Sequence, residues 1–173
     1  MIYVDDLMLF CKTKEHVEDI KRALKTEFSI KDLGKLNDCL WIEIFRKREE
    51  RMIKINQRAY NNRLSEKFGV EECKDMHTAA DSNSNLTKSL DEEAFVSKLT
   101  YRELFGALMY IATCTRPDIA YAVGEVDKVC ERYEKAHWVA AKRILKYSST
   151  AQYIGIVFSG GNKGEFIEYA DAN

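Results

Sequence analysis

The chain has 173 residues, 46% of them hydrophobic and 32% charged. That is the balance of a soluble globular protein, long enough for one ordinary domain or two small ones. Lys plus Arg is 27 and Asp plus Glu is 28, a net charge of −1. This excludes whole-chain disorder and a polybasic tail, and leaves any nucleic-acid binding to a local basic stripe. No apolar run approaches the ~20 residues of a membrane helix, and no signal-peptide pattern opens the chain. The expectation is an intracellular protein, cytoplasmic or nuclear, with no membrane partner. Five cysteines at irregular spacing fit reduced thiols better than a disulfide framework or a zinc site. Pro117 is the single proline, where average usage would give about nine.

In chain order, Met1–Val4 and Leu7–Phe10 read as strands on either side of an Asp5-Asp6 turn. Val17, Ile20, Leu24 and Phe28 recur at helical spacing across residues 16–28. CLWIEIF (39–45) reads as one strand and MIKI (52–55) as its hairpin partner. RKREER (46–51) between them reads as a solvated turn. Residues 57–69 form a helix with Tyr60, Leu64 and Phe68 on one stripe and Gly69 as its stop. Residues 71–97 are polar and read as a linker or long loop.

Three helices follow, over 101–114, 117–133 and 136–148. Thr115 is a candidate cap ahead of Pro117. Trp138, Ala141 and Leu145 share a face of the last helix. YIGIVF (153–158) and EFIEYA (165–170) read as a strand pair around SGGNKG. The fold class is α+β.

No nucleotide-binding glycine motif, P-loop, GxSxG or HExxH occurs, and His16, His77 and His137 have no metal-ligand spacing. IYVDDLMLF (2–10) is the one constellation with a chemical logic. Adjacent carboxylates held at a tight turn suit magnesium, which wants oxygen ligands and serves phosphoryl transfer, often in pairs. On their own the two residues read first as turn formers in a hairpin.

The order of the motifs resembles the reverse transcriptase of copia-type LTR retrotransposons. IYVDDLMLF resembles the hairpin of the polymerase palm, FSIKDLGKLNDCLWIEI (28–44) the approach to the primer grip, and INQRAYNNRLSEKFGV (55–70) the start of the thumb. LTYRELFGALMYIATCTRPDIAYAV (99–123) and HWVAAKRILKYSST (137–150) resemble the helical region that follows. IEYADAN (167–173) resembles the first strand of RNase H. The resemblance implies truncated palm hairpins over 1–56, a thumb and helical connection over 57–150, and an incomplete RNase H domain over 151–173.

It also implies roles. Asp5 and Asp6 match catalytic, metal-binding aspartates for Mg2+, and Asp171 matches the first catalytic aspartate of RNase H. Leu40, Trp41 and Ile42 fall in the primer grip. Arg102, Gly106 and Tyr110 recur every four residues, on one helical face that would follow an RNA template and DNA primer duplex; the alternative is a packing face. Lys142, Arg143 and Lys146 read as a solvated helix face or as phosphate contacts.

The implied partner is the remainder of a Pol polyprotein, because the upstream palm aspartate and most of RNase H have no counterpart here. Neither activity is therefore expected from this chain alone. The alternatives are a non-catalytic or domesticated nucleic-acid-binding module, or a non-functional remnant. Trp41 stands where the family usually has glycine, and the prolines usual near Ala80 and before Trp138 are absent. Asn173 stands where the family has an acidic residue. A palm hairpin without neighbouring strands should expose apolar surface, and the helices from 99 to 150 should form the most stable core.

Overall fold

The computed structural model describes residues 1–81, 97–128 and 135–160. It divides into two units, Met1–Asn37 and Asp38–Asn173. It is mixed helix and sheet, in keeping with the α+β expectation.

In the first unit, strands β1 (Ile2–Tyr3) and β2 (Asp6–Leu7) form a two-residue hairpin. Met1 and Met8 exchange backbone bonds of 2.9 Å, so Ile2 faces Leu7 and Tyr3 faces Asp6. This register corrects the sequence reading by one residue. The turn is Val4-Asp5, with Val4 at φ +48°, and Asp6 lies in the strand. The hairpin exposes its apolar residues as expected: Ile2 is 77% and Val4 81% exposed. Helix α1 (Lys14–Glu27) starts at Thr13, whose hydroxyl accepts the His16 N–H. None of its residues is buried.

The second unit begins with a four-stranded antiparallel sheet. Its strands are β3 (Asp38–Cys39), β4 (Ile42–Lys47), β5 (Met52–Asn56) and β6 (Ile156–Ser159), in that order. The segment 39–45 is not one strand. Leu40 and Trp41, at φ +52° and +63°, form a two-residue turn that pairs Cys39 with Ile42 and folds β3 back on β4. β6 pairs with β5, Ile55 opposite Ile156. The partner expected for it, 165–170, lies outside the described residues.

Helices α2 (Arg58–Phe68), α3 (Lys98–Cys114), α4 (Ala120–Asp127) and α5 (Lys135–Thr150) build the core. Leu64, Phe68, Tyr101, Leu104, Leu108, Ile111, Val123, Ile144 and Leu145 fill it, with Trp138 packed edge-on against Phe68. Each fully buried large side chain contributes roughly 1.5–3 kcal/mol, and the buried cluster draws on α2 as well as the helices after residue 97. Gly69 ends α2 in the left-handed conformation, φ +61°.

Thr115 does not cap the next helix. It ends α3, and its hydroxyl donates to Gln57 Oε1 at 2.8 Å. Pro117–Ile119 form a 3-10 turn that leads into α4. Residues 129–133, expected to continue that helix, lie outside the described residues.

The polar segment after α2 is tied down as far as it is described. Arg143 donates to Thr78 at 2.9 Å and sits 3.6 Å from Asp81. Lys146, 8% exposed, donates to the Glu71 carbonyl at 2.9 Å and reaches Asp75 at 3.3 Å. Lys142 lies 5.7 Å over the Trp138 ring. Arg143 and Lys146 are therefore not simply a solvated face: they hold residues 71–81 along α5.

Candidate functional site

In the first unit, Asp5 occupies the hairpin turn and Asp6 the adjoining strand position opposite Tyr3. Both are exposed. Carboxylate oxygens suit a hard divalent cation. Among the described residues, however, no group of three or more His, Cys, Asp or Glu gathers where it could hold a metal ion. The hairpin offers two adjacent carboxylates and no third donor among the described residues. Asp171 lies outside the described residues.

In the second unit, three of the residues singled out from sequence come together. The Tyr110 hydroxyl, from α3, donates a hydrogen bond to the Leu40 carbonyl. That bond anchors the β3–β4 turn on the helix, and the turn presents Trp41, 50% exposed. Tyr60 of α2 lies between the two rings, 6.0 Å from Trp41 and edge-on to Tyr110 at 5.6 Å. The Arg63 guanidinium sits 4.7 Å over the Trp41 ring. Arg102 and Gly106 are exposed on the face of α3 that carries Tyr110. Nearby, Lys67 and Glu103 form an ion pair between α2 and α3. Ile42 opens β4 beyond the turn.

The electrostatics follow from this packing. Burial raises the Tyr110 phenol first, and Cys114, Tyr60 and Cys39 add to it, so that its pKa is pushed up to about 12. Burial raises the Tyr60 phenol as well. Tyr110 therefore stays protonated, as a donor to Leu40 must. The cluster is an aromatic platform with a guanidinium across it. In general, exposed rings stack on unpaired bases and guanidinium groups meet phosphate.

Sequence reasoning placed Tyr60 on the apolar stripe of its helix, where it does pack against the core, but singled out neither it nor Arg63 for the site. Both are ordinary residues on an amphipathic helix, and only the fold of the Leu40-Trp41 turn brings Trp41 to them. It also missed Glu43. The Glu43 carboxylate accepts the Ala59 N–H at 3.2 Å and lies 3.9 Å from Arg58 Nε. This caps the start of α2, where Gln57 makes no side-chain cap, and locks helix to sheet.

A buried polar network joins the Pro117 turn, α2 and α5. Arg116, 1% exposed, grips Asp118 through Nε and a terminal nitrogen, both at 2.8 Å. Its other terminal nitrogen donates to the Ser148 carbonyl at 3.0 Å and the Ala151 carbonyl at 3.1 Å. The Ser148 hydroxyl donates to Asn61 Oδ1 at 2.7 Å. Burial pushes the Asp118 carboxyl up, but the Arg116 hydrogen bonds and charge, with the Tyr147 hydroxyl, hold it below the usual carboxylate range.

Comparison with known proteins agrees with the order of motifs. Residues 1–81 match the family described as reverse transcriptase (RNA-dependent DNA polymerase). The chain is 36% identical over 152 residues to the retrovirus-related Pol polyprotein from transposon TNT 1-94 of Nicotiana tabacum, covering 85% of this chain and 11% of that protein. It is 29% identical over 173 residues to the Pol polyprotein from transposon RE2 of Arabidopsis thaliana, covering 12% of it. An uncharacterized mitochondrial protein of Arabidopsis thaliana is 28% identical over 176 residues, 70% of its length. The chain thus spans only a small part of the polyproteins it matches. No solved structure matches it.

Proposed function

We propose that this chain, which is a fragment of a copia-type reverse transcriptase by its relatives, serves RNA-directed DNA synthesis by holding the template–primer duplex and contributing part of the metal site. The carrying observation is the Tyr110–Leu40 bond, which fixes Trp41 beside Tyr60 and Arg63. Cations that meet phosphate, beside rigid side chains that pack against sugar, suit a sequence-independent hold on a duplex. Arg102 and Gly106 extend the same surface along α3. The glycine has open space around it and lets a backbone approach closely.

Asp5 and Asp6 would hold Mg2+. Bound there, the ion supplies charge stabilisation for nucleotidyl transfer. The residues themselves contribute two carboxylates presented at the tip of a hairpin. The test is binding of a fluorescently labelled RNA–DNA primer–template as a function of salt. The expected result is salt-dependent binding, weakened by Trp41→Ala and by Arg102→Ala. Affinity unmoved by both changes would overturn the reading.

A further inference from the structure

β4 has a turn at each end. The Leu40-Trp41 turn, with its aromatic platform, is at the start. The four-residue turn 48–51, which closes the β4–β5 hairpin, is at the finish. Around this second turn Arg46, Lys47, Arg48 and Arg51, with Met52 and Ile53, line a cleft of about 350 Å³. Among the described residues no acidic side chain lines it. Glu50 pairs with Lys47 at 2.9 Å, and Glu49 is exposed on the same turn. Among the described residues Arg46 and Arg48 form no ion pair. The turn is held in place by the β5–β6 edge. Gly160 N–H donates to the Arg51 carbonyl at 2.8 Å, and Arg51 donates back to the Gly160 carbonyl at 3.3 Å. Arg51 itself adopts φ +50°. Two guanidiniums, Arg48 and Arg51, thus lie on a braced turn, and Arg46 stands on the strand that leads into it, opposite Ile53.

We propose that this hairpin tip is a second nucleic-acid contact, in which Arg46, Arg48 and Arg51 engage the phosphodiester backbone. The chemistry fits. Guanidinium binds phosphate oxygens in a fork, and Arg46, Arg48 and Arg51 all line the cleft. The placement also fits. Six residues of β4 separate the two turns, about 20 Å of strand, or roughly six base-pair steps of a duplex. A duplex seated on the Trp41 platform can therefore reach the tip without bending. The inference rests on the proposed duplex-holding role, and it adds a site that role does not require.

The experiment is anisotropy of a labelled RNA–DNA duplex against salt for the full chain and four variants. These are the double variant Arg46→Glu with Arg48→Glu, the single variant Glu49→Lys, the conservative variant Arg48→Lys, and Trp41→Ala. Circular dichroism confirms that each is folded. The double variant should bind at least about tenfold more weakly at low salt, and its log–log salt slope should fall by about two. Glu49→Lys should bind more tightly, and Arg48→Lys, which keeps the charge but not the fork, should bind more weakly than wild type with its salt slope unchanged. Unchanged affinity in the double variant, with Trp41→Ala still weakened, would overturn this site and leave the platform standing. A weakened double variant with an unchanged salt slope would overturn it as well. So would competition by polyglutamate as effective as that by unlabelled duplex, since the tip would then be a site for acidic protein. No binding by wild type would overturn both readings.

Discussion

The Tyr110 hydroxyl and the Leu40 carbonyl are seventy residues apart in sequence and joined by one hydrogen bond. That bond converts a two-residue turn of unfavourable backbone geometry into a fixed platform. Tyr110→Phe removes the donor and leaves the ring. The expected cost is about 1 kcal/mol, read by chemical denaturation. Because the folded-state pKa is raised to about 12 from the ordinary 10, the folded chain keeps a proton that the unfolded chain loses in this range. Its stabilising contribution is complete below pH 10 and is lost as pH rises through 12. Carbon-13 labelling of the tyrosine Cζ atoms should show one resonance titrating far later than the rest, absent in Tyr110→Phe. A Tyr110 resonance titrating with the exposed tyrosines would contradict the placement.

Trp41 sits at φ +63°, a conformation that costs a residue with a Cβ roughly 1 kcal/mol. Trp41→Ala and Trp41→Gly both lose the contacts to Tyr60 and Arg63. Only the glycine variant also relieves the backbone. Trp41→Gly should therefore be more stable than Trp41→Ala by about 1 kcal/mol, the reverse of the order in an ordinary strand. Both should bind duplex more weakly than wild type. Thermal denaturation of the pair gives the sign directly.

Much of the second unit was legible because its elements follow simple periods. The Tyr60–Leu64–Phe68 stripe, the Gly69 stop and the Trp138–Ala141–Leu145 face are where helical spacing puts them. The two small hairpins were not. Val4, Leu40 and Trp41 adopt positive φ without being Gly, Asn or Asp. Turn chemistry therefore gives no signal there, and an apolar run reads as continuous strand. Arg116, Arg143 and Lys146 were illegible for a different reason. A charged residue reads as surface unless its partners are known, and theirs lie on Ser148, Asp81 and Glu71, far away in sequence. At the candidate site the resemblance singled out Leu40, Trp41 and Tyr110. The means by which they meet is a tertiary fact.

Arg116 shows what that blindness costs. Its guanidinium makes five hydrogen bonds, to Asp118, Ser148 and Ala151. Lysine cannot reproduce that planar fork. Arg116→Lys and Arg116→Met should each lose about 3 kcal/mol, because they leave buried acceptors without donors. Asp118 is held below the usual carboxylate range. The stability it adds is present above that range and is lost as pH falls through its folded pKa. Wild type should therefore lose stability on acidification more steeply than either variant. Parallel curves of denaturation midpoint against pH would show that the pair does not couple to folding.

Gly155 precedes β6 and lies against the end of β5. A Cβ at this position would collide with the Ile55 carbonyl oxygen and stand 2.9 Å from the Asn56 Cβ. Both neighbours are close to backbone and cannot swing away as a long side chain would. Asn56 is buried, so the strand cannot simply back off into solvent. Gly155→Ala must push β6 from β5 and break the Ile55–Ile156 pairing. The helical core, which does not depend on that strand, should survive. The expected outcome is selective: amide exchange speeds up in β5 and β6 and stays slow in α3 and α5. The same displacement would disturb the Gly160 brace on Arg51. Gly155→Ala should therefore also weaken duplex binding through the hairpin tip while sparing the contribution of Trp41. Exchange in β5 as slow as in wild type would mean that the strands tolerate the methyl group and that the close approach is not a constraint.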